Sequence, residues 1–296
     1  MEIDLNKIRE QFLLTDDEFE RYYEEVKNNL IKSNKPSKDK KMIIIGGQSG
    51  AGKTRLWPIA NRDLGNSGVI VDFDELRSYH PNFKQVSKMY LEKTHTILHP
   101  DVEKVKNRIL DYLRENNYNV IYEGSLRNTQ GFIDFSKDFQ KAGYEIDLYI
   151  MSVPELESFS STYKRYVDDL LADNNPRWVE KNAHDESYKG TIRTVKEFER
   201  RKISNATKVF IRGEDVPQEI YSTEGKQFPT SIQAINYGRE LHREKSIDDF
   251  WDKYVYVYKN LRKHKPELID KLKDWEEMFK KEYSKVFENK KDRTRE

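Results

Sequence analysis

The chain has 296 residues, a formal net charge of +1 and no cysteine. Its hydrophobic fraction is low at 36% and its charged fraction is high at 35%, which indicates many exposed helical faces around a modest core. The near-zero charge argues against a protein that coats nucleic acid, and the missing cysteines exclude disulfides and thiolate zinc sites. No apolar stretch is long enough to span a bilayer, so we expect a cytoplasmic protein.

The first residues predict a capped amphipathic helix. Residues 1–12 lack the long apolar core of a secretory signal, so we expect none. Thr15 and Glu18 have the spacing of a capping box, with Thr15 as the N-cap. Apolar and aromatic residues follow at helical spacing, which predicts that one face of this helix packs on the domain.

The central motif is a complete G-x-x-x-x-G-K-S/T phosphate-binding loop (P-loop) between an apolar run and a helical pattern. Its residues are Gly47, Gln48, Ser49, Gly50, Ala51, Gly52, Lys53 and Thr54. The glycines let successive backbone N–H groups point into one concavity at a helix N-terminus, which favours anions. Lys53 would reach the β- and γ-phosphates of a nucleoside triphosphate, and Thr54 would hold Mg²⁺. The alternative is a glycine-rich turn with an accidental lysine.

The remaining pattern alternates strands and helices. Strands are expected at 41–45, 69–72, 119–123, 146–151 and 207–212, with an edge piece at 219–222. Helices are expected from Arg55 onward and at 83–94, 101–116, 128–142, 154–171 and 184–202. This alternation predicts an α/β fold with a P-loop kinase-like parallel sheet flanked by helices. The fourth strand does not end in an acid, which disfavours a motor ATPase.

Charged side chains follow the predicted strands. Asp72 and Asp74 come directly after the second strand, and Glu123 ends the third. Because ligands bind beyond the carboxyl ends of parallel strands, these carboxylates are expected to face the phosphates. The alternatives are that an aspartate only caps the next helix, and that residues 123–127 form a turn with a solvated Arg127. His80, His95 and His99 are expected to be packing or surface residues, since no partner repeats at metal-ligand spacing.

Two arginines surround a polar loop after the fourth strand. Arg165 lies on the predicted helix 154–171, and Arg177 follows Pro176. Arginines that flank a mobile segment downstream of a P-loop suggest a lid that closes on phosphate. Since arginines on helices are usually solvated, spacing alone leaves both interpretations open.

Beyond residue 222 the pattern changes to charged amphipathic helices, expected at 231–244, 247–262 and 267–287. Their expected buried anchors are Trp251, Tyr254, Tyr258, Trp275 and Phe279. We therefore predict a P-loop kinase domain over residues 1–222, including the N-terminal helix and the arginine lid. A C-terminal helical extension would follow over 223–296, fraying after residue 287.

These residues form the constellation of a small-molecule kinase. Phosphoryl transfer needs positioning and charge stabilisation more than covalent chemistry. Asp74 would accept the proton of an acceptor hydroxyl, while Lys53, Mg²⁺ and the two arginines would neutralise charge on the transferring group. Glu123 and Arg127 would orient the acceptor.

The chain resembles the zeta toxin family of bacterial toxin–antitoxin systems over residues 15–212. The matching stretches are Gly47–Thr54, Asp72–Asp74, His80–Phe83, Glu123–Arg127, Gly143–Glu145, Met151–Pro154, Arg165–Tyr166, Arg177 and His184–Asp185. The resemblance implies an ATP-dependent kinase that phosphorylates the 3′-hydroxyl of UDP-N-acetylglucosamine. It also implies a small helical, epsilon-like antitoxin whose helix blocks the ATP site.

The resemblance implies roles for individual residues. Asp74 would be the catalytic base, and Lys53, Arg165 and Arg177 would contact the phosphates. The residues near the sugar nucleotide would be Glu123, Ser125 and Arg127.

Four positions depart from the family pattern, namely Asn107, Ser125, Leu126 and Phe135. The ATP side is intact, so we expect kinase chemistry on an acceptor that is UDP-N-acetylglucosamine, a related nucleotide sugar or a different compound such as a drug, a nucleoside or an RNA end. Near-zero net charge argues weakly against RNA. A nucleotide-regulated binding protein with little turnover is the alternative from another class.

Overall fold

A computed structural model describes residues 4–90, 93–174, 176–225, 227–241 and 246–281 of the chain. Its sheet has six strands: β1 (Lys41–Gly46), β2 (Gly68–Val71), β3 (Asn119–Gly124), β4 (Glu145–Met151), β5 (Ala206–Ile211) and β6 (Gln218–Ser222). The strand order is β2-β3-β1-β4-β5-β6. The first five strands in this order pair in parallel, and β6 runs antiparallel along β5. The predicted α/β fold with a parallel sheet is confirmed.

Helices surround this sheet within the described ranges: α1 (Leu5–Phe12), α2 (Asp16–Ile31), α3 (Trp57–Asp63), α4 (Phe73–Ser78), α5 (Phe83–Tyr90), α6 (Thr94–Glu115), α7 (Thr129–Lys141), α8 (Glu155–Leu171), α9 (Lys181–Arg200), α10 (Ser231–Glu240) and α11 (Ser246–His264). A 3₁₀ helix, Lys53–Leu56, precedes α3, so the helix after the P-loop begins with a tighter turn than expected. A second 3₁₀ helix covers Pro266–Leu272, and residues 273–281 are helical. The predicted capping box of Thr15 and Glu18 is present at the start of α2.

The predicted break between helices near Pro100 is wrong, because α6 begins at Thr94 and continues through the proline. Proline has no backbone N–H, so the carbonyl of Thr96 loses its helical donor. Arg9 of α1 replaces this donor, since its Nε donates to the Thr96 carbonyl at 3.0 Å. A contact from a distant helix thus compensates a residue that normally ends or kinks a helix.

The core lies on both faces of the central strand. Met42 and Ile44 of β1 pack into a cluster with residues of α2, α6, α7 and α9. Ile43 and Ile45 point to the opposite face, where Leu56 and residues of α3 cover them. Since alternate side chains of a strand point to opposite faces, helices on both sides bury β1 completely. The carboxyl end of β1, where the P-loop begins, is therefore a rigid support.

The helices after residue 222 pack in two places. The helix α10 lies against β5, β6 and α9, whereas α11 and the helical residues that follow share an aromatic core with α8. The expected anchors Trp251, Tyr254, Trp275 and Phe279 are buried there, and Tyr258 is partly buried. Residues 282–296, which hold the end of the last predicted helix and the predicted frayed tail, lie outside the described residues. The division into two domains at residue 222 stays a prediction.

Among the residues that the structure describes, every helix is too short or too polar to cross a bilayer.

Candidate functional site

The P-loop is held against the N-terminal half of α8. Gly47, Gly50 and Gly52 all have positive φ angles. At Gly50 (φ +76°), an added Cβ would lie 2.0 Å from the carbonyl oxygen of Ser158, so only glycine fits. The fully buried Gln48 donates from Nε2 to the Val153 carbonyl at 2.8 Å and to Ser158 Oγ at 3.1 Å. Backbone shape and one buried amide therefore set the position of the loop.

Lys53 and Glu123 meet at the carboxyl ends of two paired strands. Ile45 of β1 is in register with Glu123 of β3, which brings the carboxylate beside the P-loop. The Nζ of Lys53 lies 3.7 Å from Glu123 Oε1. The other carboxylate oxygen of Glu123 accepts a hydrogen bond of 2.8 Å from Trp57 Nε1. Burial lowers the pKa of Lys53, and the nearby Glu123 carboxylate opposes that shift.

Asp72 and Asp74 have different partners although they are two residues apart. Asp72 is the N-cap of α4, and its carboxylate accepts from the Glu75 backbone N–H at 3.3 Å. Asp74 lies in the first turn, where Arg77 donates to Oδ1 at 2.7 Å and Arg177 donates to Oδ2. Asp72 therefore caps α4 and also borders the cleft, while Asp74 faces two guanidinium groups.

These partners move the two pKa values in opposite directions. Burial, followed by the charges of Asp74 and Glu123, raises the pKa of Asp72 to about 6. Burial alone would also raise the pKa of Asp74, but the charges of Arg177 and Arg77 outweigh it and hold that pKa well below the usual range. At neutral pH Asp74 is an ionised, weakly basic carboxylate, and Asp72 is the more basic of the pair.

One cleft of about 480 Å³ collects half of the predicted site residues. The predicted residues that border it are Ser49, Lys53, Asp74, Glu123, Ser125, Arg127 and Arg177. Arg165 borders an adjoining cavity of about 250 Å³, together with Asp74 and Arg177. The structure thus brings carboxylates from two strand ends and arginines from a later segment to the mouth of the P-loop.

The other P-loop positions lie behind or beside this cleft in the part of the chain that the structure describes. Gln48 and Ala51 are fully buried under the loop. Thr54 is exposed in the 3₁₀ helix and does not border the cleft in this conformation. The backbone N–H groups of the loop remain the chemically relevant feature of these positions.

Several side chains at the site did not follow from sequence reasoning. Arg77 is three residues after Asp74 on one helix, and this spacing could have indicated the ion pair. Arg9, which borders the cleft from α1, and Trp57, which contacts Glu123 from α3, gave no such signal. Arg212 follows β5 and donates to the carbonyls of residues 50 and 51, which braces the P-loop from outside.

The histidines have different surroundings. His80 is buried, with Nε2 3.4 Å from Asp101 Oδ2, as expected for a packing residue. His95 and His99 instead border the cleft. Burial, followed by the charges of nearby arginines, lowers the pKa of His95 to about 4, so this side chain is neutral at pH 7.

A second titratable cluster lies under the P-loop. Glu155, His184 and Asp185 place donor atoms within 4.8 Å of one another. Asp185 already pairs with Lys181, and His184 Nε2 lies 2.9 Å from the hydroxyl of Ser158. The His184–Ser158 contact ties α9 to α8, which supports the P-loop, whereas the Lys181–Asp185 pair lies within α9. We interpret the cluster as part of this structural network.

Comparison with known proteins identifies the family. A family model described as Zeta toxin matches residues 26–225, which is more than half of the chain. The chain belongs to the zeta toxin family. The resemblance found in the sequence is confirmed, and the matched segment includes the P-loop, both aspartates, Glu123 and Arg177.

Curated zeta toxins cover the same segment of the chain. Toxin zeta of Streptococcus pyogenes is 30% identical over 173 residues, which are 58% of this chain and 60% of that protein. Toxin PezT of Streptococcus pneumoniae is 31% identical over 173 residues, which are 58% of this chain and 68% of PezT. The aligned segment thus spans about 60% of the length of the zeta toxins that it matches.

A solved structure extends the likeness beyond that segment. The structure reported for the PezAT chromosomal toxin–antitoxin system of Streptococcus pneumoniae superposes with a TM-score of 0.68 and 26% identity. The match covers 85% of this chain and 98% of the other. The zeta toxin described here therefore has the P-loop kinase fold.

Proposed function

We propose that the chain is an ATP-dependent kinase that transfers the γ-phosphoryl group to the 3′-hydroxyl of UDP-N-acetylglucosamine or a related nucleotide sugar. It would act as the toxin of a toxin–antitoxin pair. The observation that carries this proposal is the common cleft of Lys53 and Asp74, which puts a phosphate-binding lysine and an ionised carboxylate around one cavity. A kinase of another small molecule or of RNA, and a nucleotide-regulated binding protein, are the competing functions.

The phosphate side of the reaction falls to the P-loop and the basic side chains. Loop N–H groups would hold the triphosphate, and Lys53 would contact the β- and γ-phosphates. Arg177 and Arg165 would neutralise charge that develops on the transferring group. Both arginines lie close enough to Asp74 for their charges to act on its carboxylate, so they are near the proposed reacting atoms.

Asp74 would take the proton of the attacking hydroxyl. Its ion pairs make it a weak base in the absence of nucleotide. A triphosphate offers Arg177 a competing anion, and release of Asp74 from this arginine would raise its pKa toward a more useful value. Because the transition state of phosphoryl transfer is loose, modest basicity is enough.

The donor set of the cleft fits Mg²⁺. Magnesium prefers oxygen ligands, and Asp72, Asp74 and Glu123 supply carboxylate oxygens around the cleft. Burial, and then repulsion by Asp74 and Glu123, raises the pKa of Asp72, and a divalent cation would relieve that repulsion. Asp72 would hold the ion from the cleft, and Thr54, which lies outside the cleft in this conformation, would have to turn into it to act as the second ligand. When bound, Mg²⁺ neutralises charge on the β- and γ-phosphates.

The locations of the four positions that depart from the family pattern favour a nucleotide sugar as acceptor over a compound of another class. Asn107 is exposed on α6, and Phe135 packs edge-on against Tyr122 at 5.1 Å. Leu126 is fully buried. Only Ser125 of the four departures borders the cleft in the described chain, and it keeps a hydroxyl. The cleft itself therefore offers little reason to expect a different acceptor.

A partner follows from the relatives. The PezAT structure is that of a toxin–antitoxin system. We propose that the chain pairs with a small helical, epsilon-like antitoxin that blocks the ATP site. No role for a membrane or for nucleic acid is proposed.

The decisive experiment is mass spectrometry of small metabolites after expression of wild type, Asp74→Ala and Asp138→Ala. Asp138 is an exposed helix residue paired with Lys141, so its variant is a matched control. We expect phosphorylated UDP-N-acetylglucosamine with wild type and Asp138→Ala, and none with Asp74→Ala. Purified enzyme with labelled ATP and a panel of nucleotide sugars, nucleosides and RNA ends then ranks the acceptors.

The competing functions give different results. Phosphorylation of another compound alone would move the assignment to that acceptor. ATP binding by both wild type and Asp74→Ala without any phosphorylated product would identify a nucleotide-regulated binding protein.

A further inference from the structure

An irregular segment, residues 176–180, carries Arg177, and Trp178 anchors it. Trp178 borders the cleft but is only 4% exposed. Its ring meets two tyrosines of α8 edge to face, Tyr163 at 4.9 Å and Tyr166 at 5.0 Å between ring centroids. Because the Trp178 ring is packed on two sides, it limits the positions that the adjacent Arg177 can take. The irregular backbone of the segment would not do so by itself.

The aromatic contacts continue into the C-terminal helices. Tyr163 stacks on Trp275 at 5.1 Å with an interplanar angle of 18°, and Trp275 is fully buried. We call Tyr163, Tyr166, Trp178 and Trp275 the aromatic buttress. On its outer side, Trp275 meets Phe250 of α11 edge to face at 5.1 Å.

Polar contacts reinforce the same connection. The Tyr163 hydroxyl donates to the Lys271 carbonyl at 3.0 Å. The Nζ of Lys271 lies 5.3 Å from the centre of the Trp178 ring and 3.5 Å from Glu180 Oε1. Lys271 of the second 3₁₀ helix thus contacts Trp178 and Glu180 in the segment of residues 176–180.

Both arginines of the proposed mechanism depend on this region. Arg177 directly precedes Trp178, and Arg165 lies between Tyr163 and Tyr166 on α8. The Nη2 atom of Arg165 is buried beside this core. The family match ends at residue 225, and the helices that complete the buttress come after it.

We propose that Trp275 and the second 3₁₀ helix, Pro266–Leu272, position Arg177 for catalysis, because the aromatic buttress transmits their packing to this arginine. Trp178 and Trp275 are positioning residues: they do not touch the reacting atoms but hold the arginine at the transferring phosphoryl group. This inference rests on the proposed kinase function. A displacement of about 1 Å in such a group costs about 10²-fold in rate.

Matched tryptophan variants test the proposal. Trp178→Leu and Trp275→Leu are expected to lower kcat by about 10²-fold with a smaller change in the KM for ATP. Trp178→Phe keeps an aromatic ring and should recover most of the loss. Trp251→Leu is the control, since Trp251 lies in the same core and stacks on Tyr254 at 5.3 Å, away from Trp178. It should lower the melting temperature but leave kcat near the wild-type value.

A double-mutant cycle separates positioning from general stability. If Trp178 acts through Arg177, then Trp178→Leu should have no further effect on kcat in an Arg177→Ala background. The proposal would be overturned if the kcat losses of the two single variants multiply in the double variant. It would also be overturned if Trp251→Leu lowers kcat as much as Trp178→Leu does. Trp178→Leu keeps this test decisive even if Trp275→Leu fails to fold.

A measurement without substrate distinguishes this inference from the proposed function. Crystal structures of the variants provide this measurement. Trp178→Leu should release Arg177 from its hydrogen bond to Asp74, whereas Trp251→Leu should leave that contact in place. An Arg177–Asp74 contact that persists in Trp178→Leu refutes the buttress. A displaced arginine in a chain that phosphorylates no acceptor refutes only the kinase assignment.

Discussion

The two sides of the cleft are built in different ways. The P-loop side takes its shape from its own backbone, with three glycines at positive φ and one buried amide that fastens the loop to α8. The arginine side, residues 176–180, takes its position from side chains that are distant in sequence, through Trp178, the Asp74–Arg177 pair and the Lys271–Glu180 pair. A substitution on the first side should therefore act through backbone geometry, and one on the second through lost contacts.

Gly50→Ala should have the largest effect, because it breaks the backbone side directly. The new Cβ would lie 2.0 Å from the Ser158 carbonyl oxygen at φ +76°. Strain alone costs about 1–3 kcal/mol, and the clash adds to it, so we expect ATP affinity to fall by at least about 10²-fold in calorimetric titrations.

Gly65→Ala is the matched control for this variant. Gly65 also has a positive φ of +63°, but nothing lies within 4 Å of the position that an added Cβ would take. It should lose about 1 kcal/mol of stability and bind ATP as wild type does. Equal affinity losses in both variants would show that strain, not the close approach to α8, shapes the loop.

Asp72→Asn tests how the charge of the Asp72 carboxylate, which lies between the two sides of the cleft, affects the stability of the protein. A folded-state pKa raised to about 6 means that the folded protein loses stability relative to the unfolded chain as pH rises from about 4 through 6. Asparagine is an equally good N-cap and carries no charge. The variant should be more stable than wild type by about 1–3 kcal/mol at pH 7.5 and equal to it below pH 4, as urea unfolding would show. A stability difference that does not depend on pH would contradict this assignment.

Trp57→Phe should have the smallest effect. It tests whether Glu123 orients the acceptor or acts on ATP binding through Lys53. It keeps a ring but removes the 2.8 Å hydrogen bond from Nε1 to the Glu123 carboxylate. A hydrogen bond to a charged group contributes about 1.5–3 kcal/mol, so we expect the acceptor KM to rise about tenfold in steady-state assays with ATP affinity near wild type. A matching loss of ATP affinity would instead place Glu123 on the P-loop side, through Lys53.

Sequence reasoning succeeded where the signal is contiguous. The alternation of strands and helices, the parallel sheet and the family all rest on short runs of residues, and the structure and the family model confirm them. It failed at Pro100, where the helix continues because Arg9 satisfies the Thr96 carbonyl. That contact joins residues 87 positions apart, and no local pattern announces it.

The candidate site divides in the same way. The gathering of Lys53, Asp74 and Glu123 follows from a rule about parallel strands, so it could be expected. The pairing of Asp74 with Arg77, three residues later on one helix, could also have been expected. The pairing of Asp74 with Arg177 could not, because Arg177 lies more than one hundred positions away.

The sequence by itself determined the α/β class and the family, because backbone preferences and short motifs act over a few residues. Only the tertiary structure decided which carboxylate the arginines hold, and that a C-terminal aromatic core lies behind them. The reason is physical: pKa values and side-chain positions depend on burial and on charges within a few ångströms, which distant parts of the chain supply.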